Sequence, residues 1–194
     1  MDRSVLTGLL QGSPYVDIQT AEHIAHQFDH KELKNGEKFI RSGRIDNEYM
    51  FLQNGFIRSF MLDLEGNEIT LNFYVPGDMV FEVASFFQRQ PSQENFEAIT
   101  DCTGWVLNYE KLNGLFHALP QFREFGRAML VKGFIAFKMR TISLINKTAE
   151  ERYELLLQTK GEIFQHASLK HIASYLGITD TSLSRIRKSF SNKP

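Results

Sequence analysis

The spacing of apolar residues changes twice along this chain, and each change predicts a different kind of element. Over residues 16–34, Ile18, Ile24, Ala25 and Phe28 stand among charged residues, which predicts short helical material. From Asn35 onward the pattern becomes short β-rich runs, broken by Asn35-Gly36, Ser42-Gly43, Asn54-Gly55, Glu65-Gly66, Pro76-Gly77 and Pro91-Ser92. Turn pairs at that interval predict an antiparallel meander or barrel. Glu65-Gly66-Asn67 lies between apolar runs at 57–62 and 68–73 and predicts a hairpin tip. The steady spacing predicts a closed or double-sheet jelly roll.

Past Leu112 the glycines thin out, and residues 121–147 read as one long helix. Its apolar positions include Phe122, Phe125, Met129, Leu130, Val131, Phe134, Ile135, Phe137, Met139, Ile142, Leu144 and Ile145. They cover more than the single stripe a surface helix needs. Two partners are therefore expected: the chain's own barrel on one side and a second copy on the other, with Val131, Ile135, Met139 and Ile142 at the dimer contact. Gly126 and Gly133 are seven apart and share a side. They mark either close backbone approach or a tolerated cost of about 1 kcal/mol each. Thr148-Ala149-Glu150-Glu151 predicts a capped helix start. Gly161 interrupts that helix, and residues 163–167 read as a short strand or turn.

Residues 168–188 carry the most specific pattern in the chain. Ile172 and Leu176, four apart, face inward, and Ala173 is small where two helices approach. Gly177 supplies a left-handed turn, Thr179 an N-cap, and Leu183 and Ile186 anchor a second helix. This is a helix-turn-helix. Its outer face is left to Asp180, Thr181, Ser182, Ser184, Arg185 and Lys188, with Arg187, Ser168 and Lys170 beside it. These are types that reach base edges and phosphates.

Charge supports that placement. The whole chain of 194 residues has a formal net charge of −1, yet residues 163–194 hold five basic side chains against Asp180 alone, so this end is basic and the rest acidic. With 42% hydrophobic and 23% charged residues the chain is neither disordered nor low in complexity. Its single cysteine, Cys102, excludes an internal disulfide framework and a multi-cysteine metal cluster, and fits a reducing cytoplasm. No apolar stretch has the length of a membrane span, so a cytoplasmic protein with no membrane partner is expected.

In order along nearly the whole chain, these motifs resemble the cyclic-AMP receptor and fumarate/nitrate reduction regulator (Crp/Fnr) family. The resemblance is carried by Asn35-Gly36-Glu37-Lys38-Phe39-Ile40 with Gly43, by Tyr49 to Arg58 with Gly55, by Pro76-Gly77-Asp78, by Ala98 to Cys102, and by Leu183-Ser184-Arg185-Ile186. It implies an α+β protein with a cyclic-nucleotide-binding-like jelly-roll sensor barrel (1–120), a long dimerisation helix (121–147) and a C-terminal winged helix-turn-helix (148–194). The implied function is a homodimeric transcription regulator with double-stranded DNA, RNA polymerase and a small-molecule effector as partners, and with no cofactor.

The departures from that family bear on the effector. Where cyclic-AMP-binding members have a Gly-Glu pair this chain has Phe81-Glu82, and where they have Arg-Ser it has Ser92-Gln93. A buried phosphate needs a compensating cation. Arg89 is the only basic residue between Pro76 and Glu110 and would have to substitute. The expected pocket is therefore Phe81, Glu82, Val83, Arg89, Ser92 and Gln93, with an effector other than cyclic AMP and with Glu82 mainly structural. Many members carry a base-contacting Glu where Thr181 stands. The chain ends four residues after Phe190, too soon for a strand beyond the second helix, so the wing is expected before Ser168.

Two rival readings remain. A metal-dependent cupin enzyme needs imidazoles inside the barrel, and no histidine occurs between Lys31 and Phe116. No phosphate loop, nucleophile elbow or carboxylate pair appears, so the protein is not expected to be an enzyme. His23, His26 and His30 have a spacing that can bind a metal ion, although solvated side chains on a helix account for it. The second reading keeps the fold as a ligand-binding or interaction module that has lost DNA binding.

Overall fold

The computed structural model describes residues 3–191. Two short helices, α1 (Ser4–Gln11) and α2 (Ile18–Ala25), open the chain and bury Leu6, Leu10, Ala21 and Ile24. Asp17 caps α2 by accepting the Thr20 N–H at 2.8 Å. The helical material expected over 16–34 ends there, because Asp29–Leu33 is a strand, β1. Its polar and apolar residues pair along an antiparallel ladder with the seven-residue strand β8 (Cys102–Asn108), and that partner is invisible from local spacing.

Between them lie β2 (Lys38–Ile40), β3 (Glu48–Asn54), β4 (Ile57–Leu62), β5 (Glu68–Tyr74), β6 (Met79–Val80), α3 (Val83–Gln88) and β7 (Asn95–Ala98). The strands form two antiparallel four-stranded sheets, in the orders β1-β8-β3-β6 and β2-β7-β4-β5. Leu33, Ile40, Met50, Leu52, Ile57, Val80, Phe96, Ala98 and Val106 form one buried cluster drawn from both sheets. The β3–β4 turn needs a glycine: Gly55 has φ +87°, and a Cβ there would stand 2.4 Å from the Asp101 carbonyl oxygen.

Six helices follow: α4 (Tyr109–Ala118), α5 (Pro120–Asn146), α6 (Ala149–Lys160), α7 (Ile163–His166), and the pair α8 (Leu169–Leu176) and α9 (Asp180–Ser191). Pro120 opens α5, where its missing N–H costs nothing. Thr148 and Glu151 close a reciprocal capping box at the start of α6. Residues 163–167, read as strand or turn, hold a single helical turn instead. The described residues after Asn108 contain no strand, so the wing expected before Ser168 is not formed there. Ile163 is fully buried among the helices, which favours the turn.

The long helix departs from expectation in what it covers. Within α5 only Phe122, Phe125, Gly126 and Ser143 are buried. The barrel side therefore takes the first two turns and little more. A Cβ on Gly126 would stand 2.7 Å from the Phe116 ring, so this glycine does mark close approach, whereas Gly133 faces open space. At the far end Arg140 donates to the Tyr175 carbonyl (2.8 Å) and lies 3.6 Å above that ring. No helix among the described residues is long and apolar enough to cross a membrane.

Candidate nucleic-acid interface

The α8–α9 pair is assembled by local rules. Ser168 starts α8 by accepting the His171 N–H at 3.2 Å. Gly177 ends it at φ +67°, and the Ile178 N–H returns to the Ala173 carbonyl at 3.0 Å. Thr179 caps α9 through the Ser182 N–H at 3.2 Å. Ile172, Ala173, Leu176, Leu183 and Ile186 are buried with Tyr153, Leu156 and Ile163 of α6 and α7. Every inward position read from the spacing is therefore inward.

The outward positions divide. Thr179 and Ser182 share a hydroxyl contact of 3.0 Å, and the Ser184 hydroxyl donates to the Asp180 carbonyl at 3.0 Å. These three hydroxyls serve the helix itself. Asp180 sits in the first turn of α9, where the helix dipole favours a negative charge. Thr181, Ser184, Arg185 and Lys188 are exposed and recur at the spacing of one helix face. Arg187 is exposed too, but two residues from Arg185 it belongs to the opposite side. Ser168 and Lys170 are exposed at the start of α8.

The six residues expected to line an effector pocket lie on α3 and in the segments that flank it. Phe81 packs in an aromatic group with Tyr49, Phe86 and Phe87, and Val83 is 55% exposed. The Glu82 carboxylate caps α3, accepting the Ala84 and Ser85 N–H groups at 3.1 and 2.6 Å. Arg89, offered as a substitute phosphate cation, is committed elsewhere: Nη1 donates to the Asp46 carbonyl (2.8 Å), Nη2 to Asn47 Oδ1 (2.9 Å), and the guanidinium lies 4.3 Å over Tyr109. Its left-handed backbone, φ 56°, turns the chain out of α3. Buried Ser92 bonds to its neighbour Glu94, and Gln93 is exposed.

Two carboxyls near this segment were not anticipated. Asp46 accepts the Glu82 and Glu48 N–H groups at 3.0 and 3.1 Å, and its burial pushes its pKa up to about 6. Burial likewise raises Glu94, and the nearby Glu82 charge adds to it. Nothing in the sequence marks either residue, because burial is set by strands and turns brought from elsewhere. Cys102 is buried, and burial raises its thiol pKa.

The histidine run is broken by the fold. His23 lies in α2 and His26 at its C-cap, but His30 is in β1 with its ring edge against Trp105 at 5.2 Å. Among the described residues no group of three or more His, Cys, Asp or Glu side chains is placed to hold a metal ion. Val131, Ile135, Met139 and Ile142 are exposed on α5 by 47, 56, 59 and 37%, and Phe134 and Phe137 by 67 and 68%.

Residues 30–118 match the family model of the cyclic nucleotide-binding domain. The chain is 24% identical over 187 residues to the fumarate and nitrate reduction regulatory protein of Yersinia pestis, covering 87% of this chain and 73% of that protein. It is 24% identical over 172 residues to the transcriptional activator protein Anr of Pseudomonas protegens, covering 82% and 69%. In fold it is similar to FixK2 of Bradyrhizobium japonicum, with TM-score 0.73 and 20% identity over 84% of each chain. It is also similar to the c-di-GMP responsive global regulator CLP of Xanthomonas campestris, with TM-score 0.70 and 18% identity over 90% and 92%.

Proposed function

We propose that the chain, similar along most of its length to regulators of the Crp/Fnr family, is a transcription regulator that binds double-stranded DNA as a homodimer and is not an enzyme. One observation carries the reading: an α8–turn–α9 pair with Ile172, Ala173, Leu176, Leu183 and Ile186 packed inward and the Thr181, Ser184, Arg185 and Lys188 face of α9 left exposed. In this assignment Arg185 reads a base edge, and a guanidinium can grip guanine through two hydrogen bonds. Lys188 and Lys170 contact phosphates, and Thr181 faces the bases.

The homodimer forms through the exposed apolar face of α5 around Val131, Ile135, Met139 and Ile142. A surface of that kind is rarely left to water. Two-fold symmetry then presents the α9 helices to successive major grooves about 34 Å apart on a pseudo-palindromic site. The double sheet, read as a jelly-roll sensor barrel, has an effector other than cyclic AMP. The residues present do not fit a cyclic phosphodiester: Arg89 is spent on Asp46, Asn47 and Tyr109, and the half-buried side chain at 94 is a carboxyl, which would repel a phosphate.

Selection from a randomised duplex library by the purified chain tests the reading. At physiological salt, with and without cyclic AMP, both arms are expected to yield the same palindromic motif, with affinity falling steeply as salt rises. Enrichment only with cyclic AMP would overturn the effector assignment. Salt-independent binding, or none, would overturn the regulator.

A further inference from the structure

The DNA-reading pair is seated on the free edge of the barrel, and the seat contains a buried cation with two competing partners. β5 is the edge strand of its sheet, so its outward N–H groups need partners from elsewhere. The Thr70 N–H donates to the Ser174 hydroxyl of α8 (2.9 Å), which donates in turn to the Glu68 carbonyl (3.3 Å). Phe73 meets Tyr175 with ring centroids 5.2 Å apart.

Beside this contact Arg58 of β4 is only 1% exposed. Its Nη2 donates to Glu68 Oε2 at 2.7 Å and stands 4.0 Å from Glu97 Oε2, while its Nε and Nη1 have no partner. Glu97 is the cross-strand register partner of Arg58 on β7. From α8, His171 Nε2 lies 3.7 Å from the same Glu68 oxygen. Lys38 of β2 adds a positive field at Glu68, and the Phe60 ring lies 4.1 Å from the Arg58 guanidinium. A buried guanidinium with unspent donors is poorly satisfied where it stands. Glu97, 4.0 Å away, can take the guanidinium after a short side-chain rotation, and two discrete arrangements of one packed group make a bistable element.

We propose that Arg58 is a two-position switch: paired with Glu68 it holds that carboxylate against His171 and seats α8 on the β5 edge, and paired with Glu97 it releases Glu68 and loosens the seat. This rests on the reading of α8–α9 as the DNA-binding pair, whose regulation it specifies. A signal that moves β4 or β7 inside the barrel changes which carboxylate Arg58 takes.

Hydrogen exchange of the full chain and of Glu68→Gln and Glu97→Gln tests this, since both replacements keep side-chain size and both positions are partly exposed. Glu68→Gln is expected to speed exchange in peptides covering 68–74 and 169–176 by about fivefold or more, and Glu97→Gln to slow it. DNA affinity, measured on the selected duplex, is expected to shift in opposite directions for the two variants. Shifts of the same sign, or no shift in either variant, would overturn the switch. If the unaltered chain binds no DNA, the reading of α8–α9 fails while exchange still decides the switch.

Discussion

Replacing Ile135 with Asp probes the exposed face of α5 directly. Ile135 is 56% exposed, and its neighbours Val131 and Met139, four residues to either side, are 47% and 59% exposed. Fully burying an isoleucine is worth about 3 kcal/mol at the upper end, so covering the exposed half contributes roughly 1.5 kcal/mol per protomer. A two-fold contact uses each position twice, which makes roughly 3 kcal/mol per dimer before the added cost of desolvating two carboxylates. That free energy corresponds to at least about a hundredfold in the dimer dissociation constant. The fold should survive, because position 135 is open to solvent in the single chain and Asp lowers helix propensity by less than about 1 kcal/mol. Sedimentation equilibrium from nanomolar to high micromolar protein reads the constant, and circular dichroism checks the fold. A folded variant whose constant stays within about threefold of the parent would refute the assignment of this face.

Other outcomes follow from the same contacts. Gly126→Ala gains about 1 kcal/mol of helix propensity but drives a Cβ to 2.7 Å from the Phe116 ring, an overpacking cost of about 1–3 kcal/mol, whereas Gly133→Ala meets nothing within 4 Å. Denaturant melts should show the first destabilised and the second stabilised; equal effects would contradict the packing. The Asp46 carboxyl is held at about 6 by burial, above the usual carboxylate value near 4. The native chain therefore binds this proton more readily than the unfolded chain, and its contribution grows more favourable as pH falls from about 6 to about 4, by up to roughly 3 kcal/mol. The stability difference between parent and Asp46→Asn should rise over that window, and a flat difference would place the carboxyl in water. Arg185→Ala should cost about 1–3 kcal/mol on the selected site and relax its sequence preference. Lys188→Ala should weaken all duplexes alike and lower the salt slope by about one. An exchange of these two signatures would reverse the roles of the residues.

The parts of this protein legible in its sequence are those whose partners lie within a few turns of the chain. Ile172, Leu176, Leu183 and Ile186 fall inward because helical periodicity sorts them, and Gly177 and Thr179 punctuate the pair through bonds to residues three to five positions away. The β4–β5 hairpin closes on Glu65-Gly66-Asn67 for the same reason, with its register set by the turn. The boundaries of α5 come within one residue of the reading because a long helix repeats its signal many times.

Tertiary structure decided what depends on distant partners. Asp29–Leu33 is a strand because β8, about seventy residues later, supplies its ladder, and residues 163–166 form a helical turn because Ile163 finds a buried place among the helices. Arg89, the one cation available to an expected phosphate site, turns away because Asp46 and Asn47 arrive from another loop to bind it. Arg58 is buried between two carboxylates for a similar reason: Glu68 comes from across one hairpin and Glu97 from the strand on its other side. Spacing specifies which face a side chain takes, but only the folded chain determines what that face meets, since burial and charge pairing are properties of neighbours in space.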